Sequence, residues 1–301
     1  MTRQNYYRRR KQRQRQGVDS ELVRKLVQAK RTSQPRLGTR KLHYLLSPDL
    51  KKAGVKLGRD RLFEVLRAGG LLVEPRAAEY PRTTNSYHSL PVFRNLQKDF
   101  KAERPNQVWV GDLTYIRTEE GFLFLSLLTD KVSRKIVGYC CGDTLEAVGC
   151  IQALEMALKG LPKGAKPIHH SDRGTQYCCH EYVNRLLDHG LQVSMTERNH
   201  CAENALAERV NGILKSEFGL RASFKTKRDA RQAVAQAVRL YNTERPHKEL
   251  RYRFPESVHS FAGEGSSFRF DGCPPTGPQA HDSDRELRFG DSDRSRRYPG
   301  R

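Results

Sequence analysis

The fold is decided by the segment QVWVGDLTYIRTEEGFLFLSLLTD, residues 107–130. Its first half, QVWVGDLTYIRT, alternates apolar and polar residues and is rich in β-branched and aromatic side chains, which predicts a β-strand. A second apolar run, GFLFLSLLTD, follows across Glu119, Glu120 and Gly121, a combination typical of a turn. The segment therefore predicts two consecutive strands of one sheet.

Strand and helix signals alternate along the chain after Asp130. We predict a strand at 135–143, a helix at 144–159, a strand at 166–172, a helix at 181–190, a strand at 191–196 and helices at 204–218 and 226–241. This order is typical of an α/β (α+β) fold in which a mixed sheet is flanked by helices. The first of these helices carries its apolar period at Leu145, Val148, Ile151, Leu154, Met156 and Leu158.

Three basic helical segments precede the sheet. They are SELVRKLVQAKRTS (20–33), with Ser20 as its cap, GTRKLHYLLSPDLKKAG (38–54), and GRDRLFEVLRAGGLL (58–72), which ends at Gly69 and Gly70. Short basic helices separated by Gly and Pro turns favour a helix-turn-helix-like domain whose last helix enters a DNA major groove. The alternative is a generic helical bundle with a charged surface.

The charge of the chain is concentrated near its N-terminus. The formal net charge is +21, and residues 1–100 hold 24 Lys or Arg against 8 Asp or Glu. Such a block favours a polyanionic partner, DNA or RNA, with an anionic membrane surface as the rival. No apolar run reaches the length of about 18 residues that spans a bilayer, and no apolar segment follows the first basic residues as in a secretory signal. We expect a cytoplasmic, nucleoid-associated protein.

These signals predict five regions. They are a basic disordered arm at 1–16, a helical DNA-binding domain at 17–73, a linker at 74–102, the sheet domain with a C-terminal extension at 103–261, and a disordered tail at 262–301.

Two histidines and two cysteines lie close together in HHSDRGTQYCC, residues 169–179. Zinc sites usually place their paired cysteines two to four residues apart, because neighbouring side chains on a strand point to opposite faces. We therefore interpret Cys178 and Cys179 as thiols buried near a strand end.

Three acidic residues form the candidate site. Asp112 shares a strand face with Val108 and Val110, where a carboxylate needs a partner or a metal. Asp172 ends a strand, and at 100° per residue Glu208 falls on a polar stripe opposite the apolar face of its helix. The stripe consists of Asn204, Glu208, Asn211 and Lys215. Taken singly, each acid also fits a turn, a cap or a solvated face.

Together the three carboxylates suit phosphoryl transfer. A few carboxylates and phosphate oxygens can hold two Mg²⁺ ions, with Mn²⁺ as an alternative, and such a pair assists an in-line displacement at phosphorus. Lys215, two turns beyond Glu208, is placed to hold a DNA phosphate beside the metals.

The order WVGDLTYI, HHSDRGTQY and NALAERVNGILKSEF, with 35 residues between Asp172 and Glu208, resembles the retroviral-integrase-like DDE transposases. The likeness is greatest to the OrfB product of a large bacterial insertion-sequence family. It extends over about residues 1–260 and includes DKVSRKIVGY, SMTERNHCAENALAE, YNTERPHKELRYRFPESV, PRLGTRKLHYLL and PRTTNSYHSLP.

The resemblance implies an RNase H-like integrase catalytic core with Asp112, Asp172 and Glu208 as catalytic metal ligands. It also implies Mg²⁺-dependent DNA cleavage at element ends, and joining by the freed 3′-hydroxyl without a covalent enzyme intermediate. The chain departs from the family's usual Asp at Glu203. In that family an upstream reading frame often supplies the end-recognition helix-turn-helix, so we expect fusion or pairing with such a protein.

We expect the chain to contact DNA through polar and basic residues of both regions and to act as a homo-oligomer, because two DNA ends must be paired. The candidate contacts are Lys215, Asn204, Asn211, Arg8, Arg9, Arg10, Arg40, Lys41, Arg59 and Arg61. Two alternatives stay open at this point: a non-catalytic DNA-binding protein descended from a transposase, and an RNase H-like nuclease.

Overall fold

A computed structural model of the chain describes residues 3–73, 89–197 and 203–261, except for the side chains of 8, 9, 11–19 and 261. The tail expected at 262–301 and the first half of the expected linker lie outside these residues. Residues 89–107 form neither helix nor strand.

The described elements follow the predicted order closely. In the N-terminal region they are α1 (Arg3–Ser33), α2 (Thr39–Lys52) and α3 (Arg59–Ala68). The sheet region contains β1 (Val108–Thr118), β2 (Gly121–Asp130), β3 (Ile136–Gly142), α4 (Ala147–Lys159), β4 (Ile168–Ser171), α5 (Thr175–Cys178), α6 (His180–Asp188), β5 (Gln192–Met195), α7 (Ala205–Glu217) and α8 (Lys227–Thr243). A 3₁₀ turn (Lys248–Leu250) and α9 (Pro255–Phe261) complete the extension.

The sheet has the strand order β3-β2-β1-β4-β5. Its first three strands are antiparallel, whereas β4 runs parallel to β1 and β5 parallel to β4. Antiparallel neighbours are joined by short turns, and the parallel strands are reached through the helical crossovers α4 and α5–α6. The mixed sheet flanked by helices confirms the predicted fold class, an RNase H-like α/β fold.

Helices cover both faces of the sheet. On one face Trp109 and Leu128 pack with α4 and α6, around Leu154 and Tyr182. On the other face strand residues such as Ile116 pack with α7 and α8. The ladder between β1 and β4 extends only over Val108–Val110. Strand β1 therefore continues past the end of its pairing with β4. Asp112 lies two residues beyond Val110, the last residue of β1 that is paired with β4.

The N-terminal helices pack around a separate apolar cluster that includes Val27, Leu42, Leu46 and Leu62. Helix α1 begins at Arg3 rather than at Ser20, so Ser20 does not cap it and the backbone of 3–16 is helical instead of disordered. The physical reason is that Arg, Gln and Lys have high helix propensity, which lets the packed part of α1 extend into the basic residues.

Helix α4 differs from the prediction in its exposure. Leu145, Val148 and Met156 are exposed, whereas Ile151 and Leu154 are buried. The helix begins at Ala147, and its buried face is narrower than the apolar period suggests because only one side of α4 lies on the sheet. Among the described helices, none is long and apolar enough to cross a membrane.

Candidate active site

Asp112 lies in the middle of β1 and is half-buried. Its Oδ1 accepts a hydrogen bond from the backbone N–H of Leu113 at 2.9 Å, and its Oδ2 accepts one from Asn211 Nδ2 at 2.7 Å. Burial, and next the negative charge of Asp172, raise the pKa of Asp112 to about 7 against the opposing effect of these hydrogen bonds. The side chain of Asp112 is thus held in place by hydrogen bonds, while burial and neighbouring negative charge disfavour its ionised form.

Asp172 directly follows β4, at the carboxyl end of a strand that is parallel to β1. Its Oδ1 accepts a hydrogen bond from the backbone N–H of Gly174 at 3.0 Å. Its charge contributes to the raised pKa of both Asp112 and Glu208, so it lies within electrostatic reach of each. Because Val110 is paired with His170, Asp112 and Asp172 each lie two residues beyond that pair, near the carboxyl end of β4.

Glu208 lies in the first turn of α7 with its side chain exposed. Partial burial and the charge of Asp172 raise its pKa, and the position near the helix N-terminus favours a negative charge. The charges of Asp172 and Glu208 therefore act on Asp112, and that of Asp172 acts on Glu208, although the three residues lie on separate elements.

The donor chemistry of these carboxylates fits a hard divalent cation. Such ions take oxygen ligands, and a cation would relieve the repulsion that raises the pKa of Asp112 and Glu208. Within the described part of the chain, no group of three His, Cys, Asp or Glu residues is arranged to hold a metal ion. The fit therefore rests on the chemistry and charge of the donors.

Asn204 and Asn211 are buried, which corrects their assignment as DNA contacts. Asn204 Nδ2 donates to the carbonyl oxygen of Gly111 at 3.1 Å, and Asn211 Nδ2 donates to Asp112 at 2.7 Å. The polar stripe of α7 therefore faces β1 at these two positions. Both amides position the strand that carries Asp112, whereas on the same helix Glu208 is exposed and Lys215 is half-buried.

Lys215 is half-buried, and its Nζ lies 4.3 Å from the centroid of the Tyr115 ring. Burial and the neighbouring Arg221 lower its pKa to about 8, while Asp112 acts in the opposite direction. The ammonium group therefore lies within electrostatic reach of the first carboxylate. A phosphate contact of Lys215 stays a prediction.

A buried aromatic cluster supports β1 beneath Asp112, and sequence reasoning missed it. Tyr182 Oη and His169 Nε2 are 2.8 Å apart, and the Tyr177 and Tyr182 rings pack edge to face at 5.4 Å between centroids. A Cβ at Gly111 would lie 3.1 Å from His169 Nε2 and 3.3 Å from Tyr177 Cε1. Two residues of the sequence could have indicated this cluster: Gly111, directly before Asp112, and His169 in the strand that precedes Asp172.

Glu203 fixes the chain before α7. Its Oε2 accepts hydrogen bonds from Asn95 Nδ2 at 3.0 Å and from the backbone N–H of Glu197 at 2.7 Å. It thus ties the segment after β5 to the residues that precede β1. The Glu203 carboxylate therefore has a structural role, since it is bound by Asn95 and Glu197.

Lys41 also differs from its prediction as a DNA contact. Its Nζ lies 2.7 Å from Glu217 Oε1 and 2.9 Å from Oε2, and Arg245 binds the same carboxylate through Nε at 2.8 Å and Nη2 at 2.9 Å. We call Lys41, Glu217 and Arg245 the charge triad. It is largely buried and joins α2 to the end of α7, so Lys41 is engaged inside the protein.

The other predicted basic contacts lie on the surface where they are described. Arg10 and Arg40 are exposed, and Arg59 and Arg61 pair with the neighbouring Asp60 and Glu64. The side chains of Arg8 and Arg9 lie outside the described ones. Exposed pairs of this kind are weak and are compatible with a phosphate contact.

The thiol of Cys178 is buried and that of Cys179 is half-buried. Burial raises the pKa of the Cys178 thiol to about 11. The interpretation as thiols packed near a strand end is therefore confirmed for Cys178.

Comparison with known proteins gives the family. One integrase core domain model matches residues 102–201 and a second matches 189–255. The uncharacterized 31 kDa protein of insertion element IS600 from Shigella sonnei is 37% identical over 215 residues, covering 71% of this chain and 77% of that protein. The transposase for insertion sequence element IS629 from Shigella sonnei is 32% identical over 207 residues, covering 68% and 69%.

Two solved structures are also similar. The HTLV-2 integrase catalytic core domain, solved in complex with magnesium, has a TM-score of 0.43 at 19% identity and covers 53% of this chain and 99% of that one. A chain of the simian T-cell lymphotropic virus intasome in complex with the PP2A regulatory subunit B56 gamma has a TM-score of 0.46 at 17% identity, covering 81% and 79%.

The sheet topology and the matched domains define a protein with an integrase core domain. Within that class, the chain belongs to the family of bacterial insertion-sequence transposases. Members of this family bind DNA, work as oligomers and generally use divalent metal ions.

Proposed function

We propose that this protein is the transposase of an insertion sequence, which cuts DNA at the element ends and joins the freed 3′-hydroxyl to another phosphodiester. The observation that supports the proposal is electrostatic: burial and the charges of Asp172 and Glu208 raise the pKa of Asp112, and burial and the charge of Asp172 raise the pKa of Glu208, although the three carboxylates come from separate elements. A protein that only binds DNA has no need to hold three carboxylates in such an unfavourable arrangement.

In this proposal Asp112, Asp172 and Glu208 hold two Mg²⁺ ions. When bound, the ions supply stabilisation of the charge on the attacking and leaving oxygens of an in-line displacement. In the first step water attacks the scissile phosphorus and the 3′-oxygen leaves. In the second step that 3′-hydroxyl attacks a target phosphorus and another 3′-oxygen leaves, so each step exchanges one P–O bond for another.

The remaining site residues position the reactants. Asn211 holds one oxygen of Asp112 at 2.7 Å and so fixes the direction of the carboxylate. Lys215 binds a backbone phosphate of the DNA strand, close to Asp112. Asn204 donates to the carbonyl oxygen of Gly111 and fixes the position of β1 relative to α7.

We further propose that two or more copies act together and that an upstream-frame helix-turn-helix protein is fused to or paired with this chain. Two element ends must be held at once during joining, and one set of carboxylates serves one end at a time. The basic N-terminal residues and α3 contribute DNA contacts in this assembly, with Arg40, Arg59 and Arg61 on the described surface.

A strand-transfer assay with Mg²⁺ and oligonucleotides of the flanking element ends tests the proposal. Asp172→Asn is expected to lower joining by more than the roughly 10–100-fold caused by loss of a supporting residue around a metal site. Asp188→Asn, on the exposed end of α6, is the matched control and should join normally. Hydrolysis without joining would identify a nuclease, and DNA binding without either reaction would identify a regulator.

A further inference from the structure

One face of the β1–β2 pair carries an exposed aromatic surface near the candidate active site. Tyr115 and Arg117 lie on the same face of β1 because side chains two residues apart on a strand share a face. Phe122 of β2 is directly opposite Arg117 in the register and therefore lies on that face too. Helices α4 and α6 cover this face around Trp109, but Phe122 remains 50% exposed.

The two aromatic rings form a defined pair. The centroids of Tyr115 and Phe122 are 5.5 Å apart, and their planes are nearly perpendicular at 86°. Lys215 reaches from α7 to lie 4.3 Å from the centroid of the Tyr115 ring. Tyr115 is thus held between Phe122 and a cation, and its position is fixed even though the surface is open.

Positive charge surrounds this pair. Arg117 and Arg221 both lie close enough to Lys215 to disfavour its protonated form. These three basic residues place positive charge beside the aromatic pair, which suits an anionic partner better than a purely apolar one. Exposed aromatic rings combined with such cations are typical of surfaces that bind single-stranded nucleic acid.

We propose that Tyr115 and Phe122 form a stacking platform for an unpaired nucleobase of the DNA strand at the active site, with Arg117 and Lys215 on its flanking phosphates. Tyr115 is three residues, or about 10 Å, from Asp112 along β1, and this odd separation puts the two side chains on opposite faces of the strand. Lys215 links them, because it lies 4.3 Å from the Tyr115 ring and within electrostatic reach of Asp112, so the base stacks on the far side of Lys215 from the carboxylates. The inference rests on the proposed function, because it is the DNA substrate that supplies the base.

The test compares Phe122→Ala with wild type and with Leu187→Ala, a matched control on α6 that removes a side chain of similar exposure. Fluorescence anisotropy measures the Kd for a duplex with a single-stranded 3′ extension and for the blunt duplex. Phe122→Ala is expected to weaken binding of the extended duplex about five- to tenfold and to leave the blunt duplex unchanged. Phe122→Trp should restore binding.

Abasic substitutions in the extension identify the stacked base without changing the protein. One position should weaken wild-type binding by the same factor as Phe122→Ala and have no added effect in that variant. Equal losses on both duplexes, or no abasic position that distinguishes the proteins, would overturn the platform. A changed oligomer mass in Phe122→Ala without abasic discrimination would instead assign the surface to contact between copies.

The two proposals fail in different ways. If wild type discriminates the abasic position but does not join strands with Mg²⁺, the platform stands and the catalytic function does not. If wild type joins strands and Phe122→Ala binds both duplexes normally, the function stands and the platform is wrong.

Discussion

Lys41 and Arg40 are neighbours on α2 with opposite environments, and their replacement by Gln separates an internal contact from a DNA contact. Lys41 is 19% exposed in its salt bridge to Glu217, whose own side chain is 17% exposed, whereas Arg40 is exposed. A hydrogen bond to a charged group contributes about 1.5–3 kcal/mol. Loss of one partner from a fully buried ion pair costs about 3–5 kcal/mol.

The lower range applies to Lys41→Gln. Glu217 keeps its two contacts to Arg245 at 2.8 and 2.9 Å, so its carboxylate is not left alone. We therefore expect Lys41→Gln to lower the free energy of unfolding by about 1.5–3 kcal/mol. Arg40→Gln should change it by less than about 0.5 kcal/mol, as is usual for a surface substitution.

Urea unfolding followed by circular dichroism measures the stability, and a salt series of DNA-binding constants measures the phosphate contacts. Arg40→Gln is expected to reduce the slope of log K against log salt by about 0.9, the value for one phosphate contact, and Lys41→Gln to leave the slope unchanged. A Lys41→Gln variant of normal stability with a shallower slope would refute the assignment of Lys41 to the charge triad.

Three further predictions concern the site and its supports. Asn211→Leu removes the 2.7 Å donor to Asp112 and should lower the joining rate about 10–100-fold in an Mg²⁺ titration; a normal rate in a folded variant would contradict the positioning role. Gly111→Ala crowds the buried imidazole and phenol rings at 3.1 and 3.3 Å and should destabilise by about 1–3 kcal/mol in urea unfolding, whereas Gly212→Ala, with nothing within 4 Å of its new Cβ, should be neutral or stabilising. Burial raises the pKa of Glu217, but its cationic partners outweigh this and hold it below the usual value, so the stability it contributes is present above about pH 4.3 and lost as pH falls through the lower folded pKa. The difference in unfolding free energy between wild type and Glu217→Gln should therefore shrink toward pH 3, and a constant difference would argue against it.

The sequence predicted the sheet because strand alternation and turn residues are local signals. The segment 107–130 indicates two strands on either side of a turn, and both form, with Gly121 at a φ of 107° as the first residue of β2. Asp112, Asp172 and Glu208 were likewise found from motifs that each lie within a short segment of the sequence. Read together, those motifs predict that the three acids share one site, and this stays a prediction.

The contacts of single side chains could not be predicted in the same way. Helical angles placed Asn204, Asn211 and Lys215 on one stripe, but an angle does not say which element lies opposite each residue. The partner of Lys41 is Glu217, 176 residues away, and high local charge pointed to DNA instead. Such contacts depend on how distant elements pack, which has no local signal in the chain.

The central claim is that Asp112, Asp172 and Glu208 share one metal site, and iron-mediated cleavage of the protein tests it most directly. Fe²⁺ that replaces Mg²⁺ generates hydroxyl radicals, which cut the protein backbone close to the bound metal. We expect the full-length protein to be cut near Asp112, Asp172 and Glu208, with the cuts suppressed by excess Mg²⁺. Asp172→Asn should abolish all three cuts, and the exposed-surface control Asp188→Asn should retain them. Cuts confined to one segment, or unchanged cutting in Asp172→Asn, would contradict a shared metal site.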